Sequence, residues 1–312
     1  MRLLVTGAIG FIGSHLCEGL LAAGHEVWGI SRLTKTGNVA ETQNHQNFHL
    51  LRCDITDSDE LQAIFHRNKF DAIFHLAARL STQPADDPFP YFETNVKGTL
   101  NILRTAHMED VRNVVYSSSM NVYGVPEYLP VDEGHPTKPV NLYGLTKLMG
   151  EMSCQLYARI YGFKAIILRY SGVFGPGKAG GAIFNFVDKA LRNEPLVIFS
   201  DGSDVWDTVY VKDVVAANIL ALANIDRLGF ESFNIGIGKG INITDVANKI
   251  LGLTGSAAKP TFGSAPSLPT FVYNISKAEN MLGFTPTTFD ECLKEYVEQE
   301  KSQRLTAKYE GS

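Results

Sequence analysis

Over the first 170 residues, short continuous apolar runs alternate with amphipathic stretches. The runs predict buried strands at residues 3–5, 26–30, 48–53, 71–76, 112–118 and 164–169. Between them, apolar residues three and four apart predict helices at 11–23, 58–68, 88–108 and 142–160. A strand that is apolar throughout is covered on both faces. The alternation therefore predicts an α/β protein with a doubly wound parallel sheet between helical layers.

After residue 170 the rhythm loosens. Gly175-Pro176-Gly177 and Gly180-Gly181 mark a loop. Helices are expected at 182–192, 212–222, 243–251 (capped by Thr244 and Asp245) and 289–300, and strands at 196–199 and 232–235. Residues 259–269, rich in Pro and Ser, read as a loop, and the polar end of the chain as frayed. Residues 1–170, with 208–237 returning to them, form the expected larger lobe; 171–207 and 238–312 form a smaller α/β lobe.

Thr6-Gly7-Ala8-Ile9-Gly10-Phe11-Ile12-Gly13 joins the first strand to the first helix. Gly7 permits a tight turn, Gly10 lets backbone approach a pyrophosphate, and Gly13 allows close packing. The helix start offers free N–H groups and its positive dipole end to phosphates. These residues point to a dinucleotide, and the larger lobe to its binding domain. Asp54, ending the third strand, suits an adenine amino group or a turn equally. Leu76, Ala77 and Ala78 end the fourth strand and leave room for a cofactor; His75 beside them also fits a packed histidine. Ser31 and Arg32 end the second strand, where NAD-specific sites usually place an acid. Ser does not repel a 2′-phosphate and Arg can pair with one, so NAD(P) is expected with a lean to NADP(H).

Tyr143 and Lys147 stand four apart, on one face of a predicted helix. A free phenol, with a pKa of about 10, is a poor base near neutrality. A neighbouring ammonium and an oxidised nicotinamide both favour the phenolate, which suits Tyr143 to proton exchange with a substrate hydroxyl. Lys147 can also hold the cofactor ribose. Ser117-Ser118-Ser119 closes the fifth strand, where a hydroxyl can donate to a developing alkoxide or form a turn.

Composition narrows the class. Of 312 residues, 45% are apolar and 20% charged, enough for a large core. A net charge of −5 without a Lys or Arg run gives no electrostatic support for a nucleic acid or an anionic membrane. No apolar run reaches the roughly 20 residues of a membrane span, and glycines break the opening stretch, so no leader is expected. Cys17, Cys53, Cys154 and Cys292 are scattered without a CxxC, which suggests reduced thiols, a cytoplasmic protein and no metal.

The segments TGAIGFIG, CDITD, HLAA, ETNVKGTLNIL, SSSMNVYG, LYGLTK, RYSGVFGPG, YVKDVV, FNIGIGKG and ISKAENMLGF follow one another in order. In this set the chain resembles extended short-chain dehydrogenases/reductases of the NAD-dependent epimerase/dehydratase family, which have a Rossmann fold and mostly act on nucleotide-sugars. The resemblance makes Ser119, Tyr143 and Lys147 the catalytic residues. It adds Ile55, Asn95, Ser117, Tyr170 and Val173 to the cofactor side, with Phe11 and Ile12 in the glycine turn. Ser81, Ser119, Asn121 and Trp206 form the expected substrate side. It also implies a homodimer through helices near 91–107 and 142–160.

The departures narrow the reaction. Met120 and Asn121 stand where the family's dehydratases carry acids, which disfavours dehydration. Trp206 stands where the family often has a diphosphate-gripping Arg, Gly172 where it has Asn, and residues 262–268 carry no cation. The expected function is oxidoreduction at a sugar carbon, as a nucleotide-sugar 4-epimerase. The alternatives are an NADPH-dependent keto-sugar reductase, a dehydrogenase of a non-nucleotide substrate, and a non-catalytic NAD(P)-sensing module. The intact Ser119, Tyr143 and Lys147 oppose the last.

Overall fold

The structure is a computed structural model that describes residues 1–32, 42–80 and 87–310. Its first half alternates as the pattern requires: β1 (Arg2–Thr6), α1 (Phe11–Ala22), β2 (Glu26–Ser31), β3 (Phe48–Arg52), α2 (Ser58–Asn68) and β4 (Ala72–His75). A short α3 (Phe89–Tyr91) runs through a π-helical segment, Phe92–Lys97, into α4 (Gly98–Met108). β5 (Asn113–Ser119), α5 (Leu142–Tyr161) and β6 (Lys164–Tyr170) follow. The single helix expected at 88–108 is thus interrupted. The widened turn brings Asn95 inside, where its side-chain amide is fully bonded.

The later elements are β7 (Gly172–Phe174), α6 (Ala182–Leu191), β8 (Leu196–Ile198), β9 (Val205–Trp206), β10 (Thr208–Tyr210), α7 (Val211–Leu228) and β11 (Phe230–Ile235). Then come β12 (Ile241–Asn242), α8 (Ile243–Thr254), β13 (Pro260–Phe262), α9 (Ser276–Leu282) and α10 (Phe289–Glu310). Seven parallel strands form one sheet in the order β11-β6-β5-β4-β1-β2-β3. Leu3, Val5, Phe74 and Leu168 pack one face against α1 and α7. Leu4, Ile73, Val114 and Ile167 pack the other against α2, α4 and α5. A third cluster holds α6, α8 and α10 around Phe174, Leu196 and Tyr210.

Several local expectations are corrected. β13 lies inside the stretch read as a loop, because it pairs with the distant β8 and begins at Pro260, where a strand tolerates a missing N–H. α8 is capped by Asn242, whose Oδ1 accepts the N–H groups of Thr244 and Asp245; these two residues receive the cap. α10 continues to Glu310, past the frayed end that polarity suggested. α9 was not anticipated. Its Ala278 and Leu282, with Phe284, sit in the core beside α7 and β11.

Candidate active site

Because the sheet is parallel, the carboxyl ends of β1, β4, β5 and β6 all open on one edge. The glycine turn leaves β1 at that edge. Gly7 has a positive φ of 71°, and a Cβ on it would lie 3.0 Å from the Ala77 backbone. A Cβ on Gly13 would lie 2.2 Å from Gly7 O, so Gly13 lets α1 start against the turn itself. On Gly10 a Cβ would meet only Gly7 O, at 3.1 Å, which leaves its outer side open. Gly10 caps α1 without a side-chain hydrogen bond, so the first-turn N–H groups of Phe11, Ile12 and Gly13 remain for a ligand. These features fit a dinucleotide pyrophosphate.

The neighbouring strand end is held by Thr6. Its Oγ1 accepts the N–H groups of Leu76 (3.1 Å) and Ala77 (3.0 Å) and donates to His75 Nδ1 at 2.7 Å. His75 Nε2 then donates to Thr99 Oγ1, whose own proton goes to Asn95 O. His75 is therefore a neutral, packed histidine, and burial pulls it down to about 3. Ala78 follows in the described loop. Asn95 Oδ1 accepts Arg79 N at 2.7 Å, and its Nδ2 donates to Arg79 O and to Thr146 Oγ1. That amide ties the loop after β4 to α5.

Just beyond β3, one Asp54 oxygen forms a turn with Thr56 N and Oγ1, both at 2.9 Å. The other lies 3.9 Å from Arg32 Nε, beside Ser31. The Arg32 side chain is more than half exposed, at 54%. Ile55 is buried, and its side chain packs where a Cβ on Gly98 would be.

Asn141 starts α5 by accepting Gly144 N at 2.8 Å, and Asn141 Nδ2 donates to Asn121 Oδ1 at 3.0 Å. A Cβ on Gly144 would sit 2.2 Å from Asn121 O, so only glycine lets the helix start this close to the turn after β5. Tyr143, Lys147 and Ser119 are all buried. Burial pushes the Tyr143 phenol up, and the neighbouring Ser119 hydroxyl acts against that. Asn121 Nδ2 donates to Ser119 Oγ at 3.0 Å, so Asn121 orients this hydroxyl. Lys147 Nζ donates to Ser117 O at 2.6 Å and lies 6.0 Å from the Tyr143 ring centroid. Burial pulls Lys147 down to about 8. Ser117 Oγ bonds Tyr170 OH (3.1 Å), which also accepts from Asn218.

Two cavities adjoin Trp206. The smaller, about 110 Å³, is lined by Gly172, Val173, Lys178 and Trp206 among others. The larger, about 390 Å³, lies across Trp206 and is lined mostly by apolar groups, including Val197, Phe199, Pro266 and Leu268. Among the described residues that line it there is no Lys or Arg. In the smaller one, Lys178 Nζ donates to Val173 O. Ser81 lies outside the described residues. Sequence reasoning missed Asn141, whose position just before a helix signals a cap. It also missed Thr146, Glu151 and Arg169, whose partners come from distant parts of the chain.

A glycine turn and a Ser119–Tyr143–Lys147 set on one edge of a seven-stranded parallel sheet define an enzyme of the extended short-chain dehydrogenase/reductase class. The chain belongs to the NAD dependent epimerase/dehydratase family, whose model matches residues 3–236. It is 38% identical to a putative UDP-glucose 4-epimerase of Methanocaldococcus jannaschii, over 91% of this chain and 93% of the relative. The UDP-glucose 4-epimerase of Thermotoga maritima, solved with UDP-glucose, superposes with a TM-score of 0.88 at 32% identity, covering 97% of this chain and 99% of that one. The UDP-glucuronic acid 4-epimerase of Bacillus cereus in complex with NAD gives 0.86 at 30% identity, covering 96% and 99%.

Proposed function

We propose that this chain is a nucleotide-sugar 4-epimerase acting on a UDP-hexose or UDP-hexuronate. The observation that carries the reading is the placement of Tyr143 and Lys147 on α5 against the Ser117–Ser119 strand end, with Lys147 Nζ on Ser117 O, on the sheet edge that bears the glycine turn. Phe11, Ile12 and Gly13 bind the pyrophosphate, and Leu76, Ala77 and Ala78 border the nucleotide. Tyr170 and Val173 face the nicotinamide end, with Asn95 and Ser117 supporting it. When bound, NAD(P) supplies the hydride acceptor. Tyr143 exchanges the proton of the substrate hydroxyl, Ser119 donates to the same oxygen, and Lys147 holds the ribose. Trp206 offers a flat apolar wall to the substrate. The four cysteines are free and buried, which suits the cytoplasm.

Ser31 and Arg32 support the finer reading that the cofactor is NADP(H), with Arg32 facing the 2′-phosphate. The same residues favour a second reading, a net NADPH-dependent keto-sugar reductase. The cavity beside Trp206, with no Lys or Arg among its described lining residues, suits a substrate of either kind that lacks a diphosphate there.

The test is to denature the purified protein, identify any released nucleotide by mass spectrometry, and titrate the emptied protein with NAD+ and NADPH. Retained NAD+ or NADH, with interconversion of UDP-glucose and its C4 epimer, supports the epimerase and removes the Arg32 reading. An empty protein that prefers NADPH and reduces keto-sugars turns the assignment to the reductase. Arg32→Asp should weaken NADPH binding by tenfold or more, about 1.4 kcal/mol, and NADH binding far less.

A further inference from the structure

A buried charge cluster lies behind the catalytic strand end and has no part in the chemistry above. Glu151 follows Lys147 by four residues on α5, on the same helix face. Its carboxylate accepts Ser118 Oγ at 2.5 Å, Arg169 Nε at 3.0 Å and Arg169 Nη2 at 2.6 Å. The two side chains of the ion pair are only 8% and 7% exposed. Arg169 Nη1 donates to Tyr123 OH at 2.8 Å, and Tyr123 OH donates to Asn234 Oδ1 at 2.7 Å. One carboxylate thus joins α5, β5 and β6. Through Arg169 it also reaches the turn after Ser119 and β11.

Stability alone is a poor account of this arrangement. Taking two charges out of water costs several kcal/mol per ion, and well-packed apolar residues often serve the fold as well. What the cluster adds is a counter-charge. Lys147 Nζ is buried against Ser117 O and the rings of Tyr116 (4.9 Å) and Tyr143 (6.0 Å). On β4, the His75 that bears on it is neutral. Cys154, one turn beyond Glu151, is a buried thiol held protonated. Arg169 on β6 adds a second cation. Among these groups Glu151 is the carboxylate, and it opposes the burial that draws the proton from Lys147.

We propose that Glu151, held by Arg169 and Ser118, is a positioning residue that supplies the counter-charge of Lys147 and fixes the Ser117–Ser119 strand end against α5. The inference rests on Tyr143 and Lys147 being the acid/base pair. Without Glu151, Lys147 shares the interior with Arg169 alone and gives up its proton at lower pH. Tyr143 then loses a positive neighbour.

The test follows the 13Cε shift of Lys147 through a pH titration of the full chain, a readout that needs no substrate. In Glu151→Gln the midpoint should fall by about one unit or more, within the range for losing a nearby opposite charge. The alkaline limb of kcat/KM with UDP-glucose should fall by the same amount, with kcat lowered and KM within about twofold. Glu151→Asp keeps the charge and should restore the midpoint. An unmoved midpoint in Glu151→Gln overturns the proposal, whatever the kinetics. Should that variant not fold, Ser118→Ala keeps both charges but frees the strand end. Its kcat should drop several-fold at unchanged KM, and wild-type kinetics would overturn the proposal. Tyr143→Phe in the same assay separates the two readings. Retained activity there sinks the acid/base assignment, whereas a dead Tyr143→Phe beside an unmoved Lys147 sinks only the role of Glu151.

Discussion

Tyr143 stands four residues before Lys147, but the two do not meet as a simple pair. The ammonium is bonded to Ser117 O, and the perturbation acting against burial of the phenol comes from Ser119. The Tyr143–Lys147 spacing is legible from residue chemistry alone. The bonds are not, because Ser117 and Ser119 reach Tyr143 and Lys147 only when β5 lies beside α5. Tyr143→Phe keeps the ring and removes the proton-exchanging group. Turnover of UDP-glucose should fall by about 10²–10⁴ while the dinucleotide still binds, as measured by stopped assays and fluorescence titration. Activity within a few-fold of wild type would rule out Tyr143 as the acid/base group.

Among the elements, α1 and α5 do most to build the site, and both depend on a close approach that only glycine permits. Gly13 faces Gly7 O, and Gly144 faces Asn121 O. The glycine spacing after β1 marks the first of these in the sequence. The second is invisible there, because the opposing carbonyl belongs to the turn after β5, more than twenty residues earlier. Gly13→Ala should cost about 1–3 kcal/mol of stability through forced overpacking. The shifted helix start should weaken dinucleotide binding at the same time. Thermal unfolding with and without NAD+ would show both, and an unchanged Tm would mean that the turn relaxes without strain. The short strands β7, β9, β10, β12 and β13 were unreadable because two or three residues carry no period. Their partners define them.

The parallel sense of the sheet follows from the alternation of strands and helices, and it places the candidate site where parallel carboxyl ends gather. One surface remains unexplained by the monomer. Leu145, Met152, Leu156 and Ile160 are exposed along α5, with Leu100 and Met108 on α4. We propose that this face pairs with a second copy as a four-helix bundle, as the family resemblance implies. Leu156→Lys would place an unpaired charge in such an interface. Light scattering should then show a monomer where the parent is a dimer. A parent that is monomeric at micromolar concentration, or a variant that stays dimeric, removes this interface.

The sequence by itself determined the parallel core, the glycine turn and the Tyr143–Lys147 spacing, because each depends on contacts within a few residues or on a repeated pattern; Ser119 enters through the family resemblance. Tertiary structure alone decided that His75 is a neutral link between Thr6 and Thr99, and that Glu151 answers Arg169 on another strand. It also decided that Trp206 stands between two cavities and that α9 packs beside α7 and β11. Each of these depends on partners far away in the chain. The burial that sets a proton affinity or shapes a cavity exists only once those partners have met.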